Sequence, residues 1–480
     1  MKKCIIWLRK DLRLTDHPGF AHAIENGYQI LPIFIWDETE HRWQDGAASQ
    51  WWLHHALVDL KEQLQLHGGD LSLYKIDSRG KFSASLIEII REHQADAIYW
   101  GRRYEPEIIE RDKKLKKHLT EQGYEAKSFN THLLLEPHTI KNKSGGHYKV
   151  FTPYWKECLT HTIEPPTTIS KKEWERVSWL ETKSSTSIDD LELLPSIPWD
   201  EQFYDHWEPT RKAGLARLTE MVKSKAKTYN QQRDTPSVDG TSQLSPYLQW
   251  GQISAREIYH AFKKSYNDTV EKGYLRQLFW REFSYHLLFH EPHTPERPLR
   301  PEYENFPWKV DKKSLTAWQT GQTGFPIVDA GMRQLWQTGW MHNRVRMIVG
   351  SLLVKHLLQD WRDGASWFWD TLVDADLANN TMGWQWIGGC GADASPYFRI
   401  FNPIIQGEKF DPNGDYVRKY CPELKDVPNK YLHKPWEMPE LELAATGVTL
   451  GKTYPYPIIS HEKGRENALK AYGDFKASLE

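Results

Sequence analysis

At 480 residues, 39% of them hydrophobic, the chain is long enough for two domains, because a single core stops growing well below this length. Its 62 basic and 64 acidic residues leave a formal charge of -2, so a polyanionic partner must be met by a local patch and not by the whole surface. Cys4, Cys158, Cys390 and Cys421 stand far apart with no CxxC pair, and no run of 18 apolar residues occurs, so a zinc site, a disulfide framework, a signal peptide and a membrane span are all disfavoured and a reducing, cytoplasmic setting is expected.

Short apolar runs at residues 4–8, 30–36, 71–76, 97–100 and 126–129 alternate with helical patterns, which predicts a parallel α/β domain of about five strands over residues 1–133. Apolar residues recur at helical spacing over 49–66, and Gly68-Gly69 stops that helix. No GxGxxG follows the first strand, which disfavours an ordinary dinucleotide-binding half. Residues 134–200 lose periodicity and fill with Pro, Ser, Thr and Lys, including the run 184–187, and read as an interdomain connection on the surface. From about Trp207 the strand pattern vanishes and helical candidates run to about Leu372. Ser254 and Glu257 form a capping box opening a helix over 255–262. After Cys390, Asn402-Pro403, Asp411-Pro412 and Asn413-Gly414 mark a turn-rich segment. The fold class is therefore α/β, an N-terminal parallel α/β domain followed by a larger all-helical domain over 201–480.

Chemistry concentrates in the second half, where most of the 23 tryptophans lie. In Gly240-Thr241-Ser242-Gln243-Leu244-Ser245-Pro246-Tyr247, three hydroxyls in five residues suit a phosphate without a basic side chain, and equally suit a capped helix start. Arg281 and Glu282 in Trp280-Arg281-Glu282-Phe283 read as a surface ion pair. Residues 330–359 carry Arg333, His342, Arg344, Arg346, Lys355 and His356 with no Asp or Glu, interleaved with Trp336, Trp340, Met341 and Met347. Such alternation suits a surface that follows phosphates and stacks on a base, or a helix buried against acidic neighbours. Asp374 and Asp376 have no histidine or third carboxylate nearby, so no metal site is expected there.

In their order, GTSQLSPYLQWG, WREF, TGFPIVDAGMRQL, GWMHNRVRM, DADLANNTMGWQW and PYFRIFNP resemble the helical domain of the photolyase and cryptochrome family, and WLRKDLR at 7–13 resembles its first strand and exit loop. The resemblance implies an FAD-binding helical domain, with Tyr229, Thr241, Ser242, Leu244 and Ser245 around the phosphates and Arg281 nearby. Asn343, Arg346, Asp374 and Asp376 would surround the ring, ribose and adenine, and Asn380 would face flavin N5. Trp384, Trp361 and Trp308 match the family's electron relay. Trp280 and Trp386 would clamp a flipped thymine dimer, with Gln277, Asn343, Arg344 and Met347 beside them and Arg399 close by on the DNA side. The implied partner is UV-damaged DNA, met by a monomer without metal or membrane. A second, antenna chromophore is left open, folate ahead of deazaflavin.

Two features depart from the pattern of dimer photolyases. Gln277 stands where a glutamate is usual and looks more like the six-four photolyases, although His342-Asn343 argues against that group. Tyr104-Glu105-Pro106-Glu107-Ile108 lacks the Asn-Glu pair that grips a folate antenna. Repair of cyclobutane pyrimidine dimers is the expected activity; a cryptochrome-type photoreceptor and six-four repair are the alternatives.

Overall fold

The computed structural model describes residues 1–480 apart from 39–41, 77–79, 185, 267, 398 and 480, with the backbone alone for 268–272. Ser185 of the run 184–187 and Phe398 of the PYFRIFNP motif therefore lie outside the described residues. The five expected strands form β1 (Lys3–Leu8), β2 (Gln29–Asp37), β3 (Ser72–Ile76), β4 (Ala97–Gly101) and β5 (Glu125–Phe129), all parallel in the order β3-β2-β1-β4-β5. Helices cover both faces of such a sheet, so its strands read as continuous apolar runs and not as alternating ones. Alternate residues of β1 still serve different cores. Ile5 and Trp7 pack with Leu86, Ile90, Leu115 and Leu119 beneath the sheet, whereas Cys4, Ile6 and Leu8 belong to the larger core that continues into the helical domain.

The helix Ala47–Gln65 joins the two halves. Its Trp52 donates from Nε1 to Gln252 Oε1 at 2.8 Å, and its Ser49 hydroxyl donates to the Leu372 carbonyl at 3.1 Å. The capping box is present with both reciprocal bonds, Glu257 N to Ser254 Oγ at 3.0 Å and Ser254 N to Glu257 Oε2 at 2.9 Å, and the helix it opens runs over Ala255–Ser265. The turn-rich stretch beyond Cys390 is punctuation between short helices. Asn402 caps Pro403–Phe410, Gly414 at φ +75° precedes Asp415–Tyr420, and His461–Ala477 closes the chain. All four cysteines are buried and free.

The surface reading of residues 134–200 needs correction. They form a helix Phe151–Cys158, a short helix Lys171–Trp174 and a sixth strand, β6 (Ser178–Trp179), which pairs in parallel with the start of β2. Leu134, Ile140, Phe151, Tyr154, Cys158, Ile163, Trp174, Leu191 and Leu193 are buried in the larger core. Outside the one helix Phe151–Cys158, whose Phe151, Tyr154 and Cys158 are buried at helical spacing, the buried residues are single ones scattered along irregular chain, which leave no period to detect.

The halves meet closely at Gly251, whose φ of +67° and lack of a side chain let the loop press on the exit of β1. There Leu12 N donates to the Trp250 carbonyl at 3.0 Å and Arg13 Nη1 to the Gly251 carbonyl at 2.8 Å. A Cβ on Gly251 would strike the Lys10 carbonyl and lie 2.6 Å from Asp11 Cα. Gly251→Ala is expected to cost about 2 kcal/mol or more, because both the backbone conformation and the space exclude it; a melting temperature within a degree of the unaltered protein would overturn that.

Candidate functional site

The long helix Asp268–His290 organises the site. Gly273, Arg276, Gln277 and Trp280 lie on successive turns of one of its faces, and with Asn230, Arg233 and Trp155 they line a cavity of about 380 Å³. A Cβ at Gly273 would fall 2.6 Å from the Asn230 side chain, so the glycine keeps this wall open. Arg276 Nε is buried without a hydrogen-bond partner, a donor left over for a ligand. Trp280 is backed by Phe151, ring on ring at 3.6 Å and 8°.

One turn from Gln277, the Tyr274 hydroxyl donates to Ser242 Oγ at 2.8 Å and its ring meets Tyr229 edge-on at 5.3 Å. This pins the hydroxyl-rich loop to the long helix. Gln243, at φ +50°, turns the loop so that Leu244 is buried while Ser245 stays exposed at the start of the helix Ser245–Gln249, with Thr241 and Ser242 half-buried. Beside this face lies a largely buried network. Arg281 donates to the His132 carbonyl at 3.1 Å, to His132 Nε2 at 2.6 Å and to Glu282 Oε1 at 3.1 Å, while Glu282 Oε2 accepts from Leu134 N at 2.8 Å. The expected surface pair is thus a buried network. Burial pushes the Glu282 carboxyl up to about 7, against the pull of the Arg281 charge and the Leu135 and Leu134 N–H groups.

The DADLANN segment leads into the helix Leu377–Gly388. Asp376 caps it, accepting from Asn379 N at 2.8 Å and from the Tyr285 hydroxyl. Asp374, buried, holds Arg346 at 2.8 and 3.0 Å, and Arg346 Nε also donates to the Met341 carbonyl at 2.8 Å. Asn380 donates to the Ala365 carbonyl at 2.9 Å. Asn343 is exposed at the first turn of Asn343–Ser351.

The basic stretch 330–359 is not a free cationic surface. Arg333 pairs with Glu423 at 2.7 Å, Arg344 with Asp234 at 2.9 Å, and Arg346 with Asp374. Lys355, His356 and His342 are buried, and burial brings Lys355 down to about 7. The acids that neutralise the arginines come from distant segments, which is why the local sequence looked uniformly positive. Arg399 is exposed, its guanidinium 6.0 Å from the Phe401 ring.

Among the tryptophans, exposure is graded. Trp384 and Trp361 are buried and Trp308 is half-buried, 4.4 Å from Phe306. Trp384 lies so close over Gly364 that a Cβ there would enter its ring, and Trp361 lies 3.8 Å from the Cβ position of Gly388. Each of the two indoles thus rests on a glycine of the other's helix, Trp361–Thr371 against Leu377–Gly388. Trp280 and Gln277 line the cavity; Trp386 and Met347, both half-buried, pack instead on the second, helical core, and neither they nor Asn343 and Arg344 are part of the cavity wall. Sequence reasoning missed Phe151, Trp155, Asn230, Arg233 and Arg276. The aromatic group Phe151, Tyr154, Trp155 inside an otherwise polar connection was the available signal.

A family profile described as the FAD binding domain of DNA photolyase matches residues 274–474, and one described as DNA photolyase matches residues 4–171. The deoxyribodipyrimidine photo-lyase of Agrobacterium fabrum is 45% identical over 98% of both chains. The chain belongs to the photolyase/cryptochrome family. Cryptochrome-2 of Arabidopsis thaliana is 36% identical over 98% of this chain and 78% of its own. The crystal structure of a bacterial class III photolyase from Agrobacterium tumefaciens matches with a TM-score of 0.93 at 44% identity, over 99% of this chain and 98% of that one. This family member is accordingly an enzyme of the photolyase class, a flavoprotein of DNA repair with FAD as its cofactor. No helix among the described residues is long and apolar enough to cross a membrane, and no group of three or more His, Cys, Asp and Glu among them is placed to hold a metal ion.

The residues present fit a flavin dinucleotide in their chemistry: the hydroxyl loop pinned to Tyr274 offers phosphate donors, and the Arg346–Asp374 pair offers a fixed charge pair.

Proposed function

We propose that this enzyme repairs cyclobutane pyrimidine dimers in DNA, taking up the dimer flipped out of the duplex and splitting it with an electron donated by light-excited reduced FAD. The observation that carries the reading is the cavity of about 380 Å³ with a stacking wall, Trp280, next to the Gln277 amide. When bound, reduced FAD supplies the excited electron that opens the cyclobutane ring and receives it back.

The chain's own residues do the rest. Tyr229, Thr241, Ser242, Leu244 and Ser245 hold the diphosphate with hydroxyls and backbone N–H groups. Arg346, kept in place by Asp374, presents a fixed positive charge that favours an anionic ring, and the Asn380 amide, able to donate or accept, serves N5 in either protonation state. Asp376, Asn343 and Arg281 complete the cofactor's surroundings. Trp280 stacks on the dimer and Gln277 hydrogen-bonds a thymine edge, while Trp386 and Met347, outside the cavity wall, would meet the dimer only from the cavity's outer side. Arg344 and Arg399 stand outside the cavity where phosphates of the strand pass. Trp308, Trp361 and Trp384 carry electrons inward from the surface. We assign residues 1–133 to an antenna-type domain, with folate ahead of deazaflavin as the pigment, and 201–480 to the catalytic domain, acting as a monomer.

The test is light-dependent repair of an oligonucleotide bearing a single cyclobutane dimer. Repair in light and none in the dark is expected; a protein that holds FAD yet repairs nothing would make it a photoreceptor, and repair confined to six-four photoproducts would reassign the substrate. Trp280→Ala is expected to cost about 1 to 3 kcal/mol of dimer affinity, the worth of one stacking contact, while the bound flavin still photoreduces. Unchanged affinity would remove Trp280 from the clamp.

A further inference from the structure

Trp280 is one member of a ladder of three parallel rings. Phe151 lies on it at 3.6 Å and 8°, and the Trp155 ring lies parallel to Phe151, 6.2 Å away at 8°. The Arg276 guanidinium sits beside the ladder, 5.4 Å from the Phe151 ring and 5.0 Å from the Trp155 ring. Phe151 itself is fully buried and forms no part of the cavity wall, so one face of Trp280 is sealed and the cavity meets only what remains of the indole.

Phe151 is itself held from two directions. Its N–H donates to Asp393 Oδ2 at 3.3 Å, in the loop that follows the helix bearing Trp386. One turn on, Tyr154 packs on Phe283 at 5.1 Å and on His286 at 4.9 Å, fastening the helix Phe151–Cys158 to the long helix. A half-buried indole with one face free would sample several rotamers; stacked on a ring that cannot move, it keeps one.

We propose that Phe151 is a positioning residue for substrate, a brace that holds Trp280 in the plane needed to stack on a flipped pyrimidine dimer. This rests on the repair reading above. The ring's plane matters and not only its volume, because ordering Trp280 beforehand removes an entropic cost that binding would otherwise bear.

The experiment measures binding of dimer-containing and undamaged DNA in the dark, flavin content, and repair per bound dimer in light, for the unaltered enzyme and for Phe151→Leu and Phe151→Tyr. Phe151→Leu, which keeps the apolar bulk and loses the plane, is expected to bind the dimer about fivefold to tenfold more weakly, the scale of one immobilised side chain. Undamaged-DNA binding, flavin content and repair per bound dimer stay within about twofold, since a brace on Trp280 touches none of them. Phe151→Tyr restores most of the affinity. Equal loss on damaged and undamaged DNA, or no loss with Leu, overturns the brace while the unaltered enzyme's repair still stands. If the unaltered enzyme neither binds nor repairs the dimer, the repair reading fails and the brace fails with it.

Discussion

Trp384→Phe is expected to abolish reduction of oxidised flavin by light and an external reductant, while leaving the protein folded and its flavin in place. Trp384 packs on Phe368 at 5.0 Å and Trp318 at 6.1 Å and fills the space over Gly364. A phenylalanine keeps the ring contacts nearer the backbone but lacks the distal indole carbons that lie on Gly364, so a stability cost of about 1 to 3 kcal/mol is expected. Benzene is far harder to oxidise than indole, and a relay through this position stops. Enzyme reduced chemically beforehand should still repair dimers, since its electron does not travel through Trp384. The check pairs a photoreduction trace with a single-turnover repair assay on the same preparation. Normal photoreduction in the variant would show the relay runs elsewhere; joint loss of fold, flavin and repair would make Trp384 a core residue only.

Acidification is expected to destabilise the protein before most of its carboxylates are protonated. Burial holds His55 and His342 at about 4 and His286 and His356 at about 3, and neighbouring positive or potentially positive groups add to it: His54 for His55, Arg344 and Arg346 for His342, His290 and His147 for His286, and His461 for His356. An unfolded histidine titrates near 6.5, so as pH falls from 6.5 toward 4 the unfolded chain takes up protons that the folded chain refuses, and stability falls with it. Each group contributes up to about 1.4 kcal/mol per pH unit, so the four together lose at most about 5.6 kcal/mol per unit, a large share of a typical folding free energy. Glu282 acts in the opposite sense: raised to about 7, it keeps its proton in the folded state above pH 4.5, and its contribution declines as pH rises. Asp59, Asp329 and Asp363, raised by the same burial, act in the sense of Glu282, while His54, His132 and His290, lowered by burial, add to the histidine side. Urea denaturation at pH 7.5, 6.5, 5.5 and 5.0 measures it, and His286→Phe should make the slope shallower. A denaturation midpoint flat across that range would show that the histidines titrate normally.

What the sequence determined by itself was everything carried by neighbours along the chain. Five parallel strands were legible because strands buried on both faces show as unbroken apolar runs between helical stretches. The Ser254–Glu257 box was legible because a helix start binds its own third residue, and the flavin-binding family was legible because its motifs are long and contiguous. Tertiary structure decided what depends on partners far along the chain. Residues 330–359 looked like a phosphate-binding stripe until Asp234, Asp374 and Glu423 came in from elsewhere to pair its arginines. Glu282 looked like a surface charge, yet the Leu134 and Leu135 N–H groups, some 148 residues away, hold it inside. Phe151 stood in a stretch without periodicity, and only folding laid its ring on Trp280. A local pattern reports the backbone's own hydrogen bonds and the side on which apolar groups fall; charge pairing and ring stacking between distant segments are fixed only when the whole chain closes, because their energy exists only at contact.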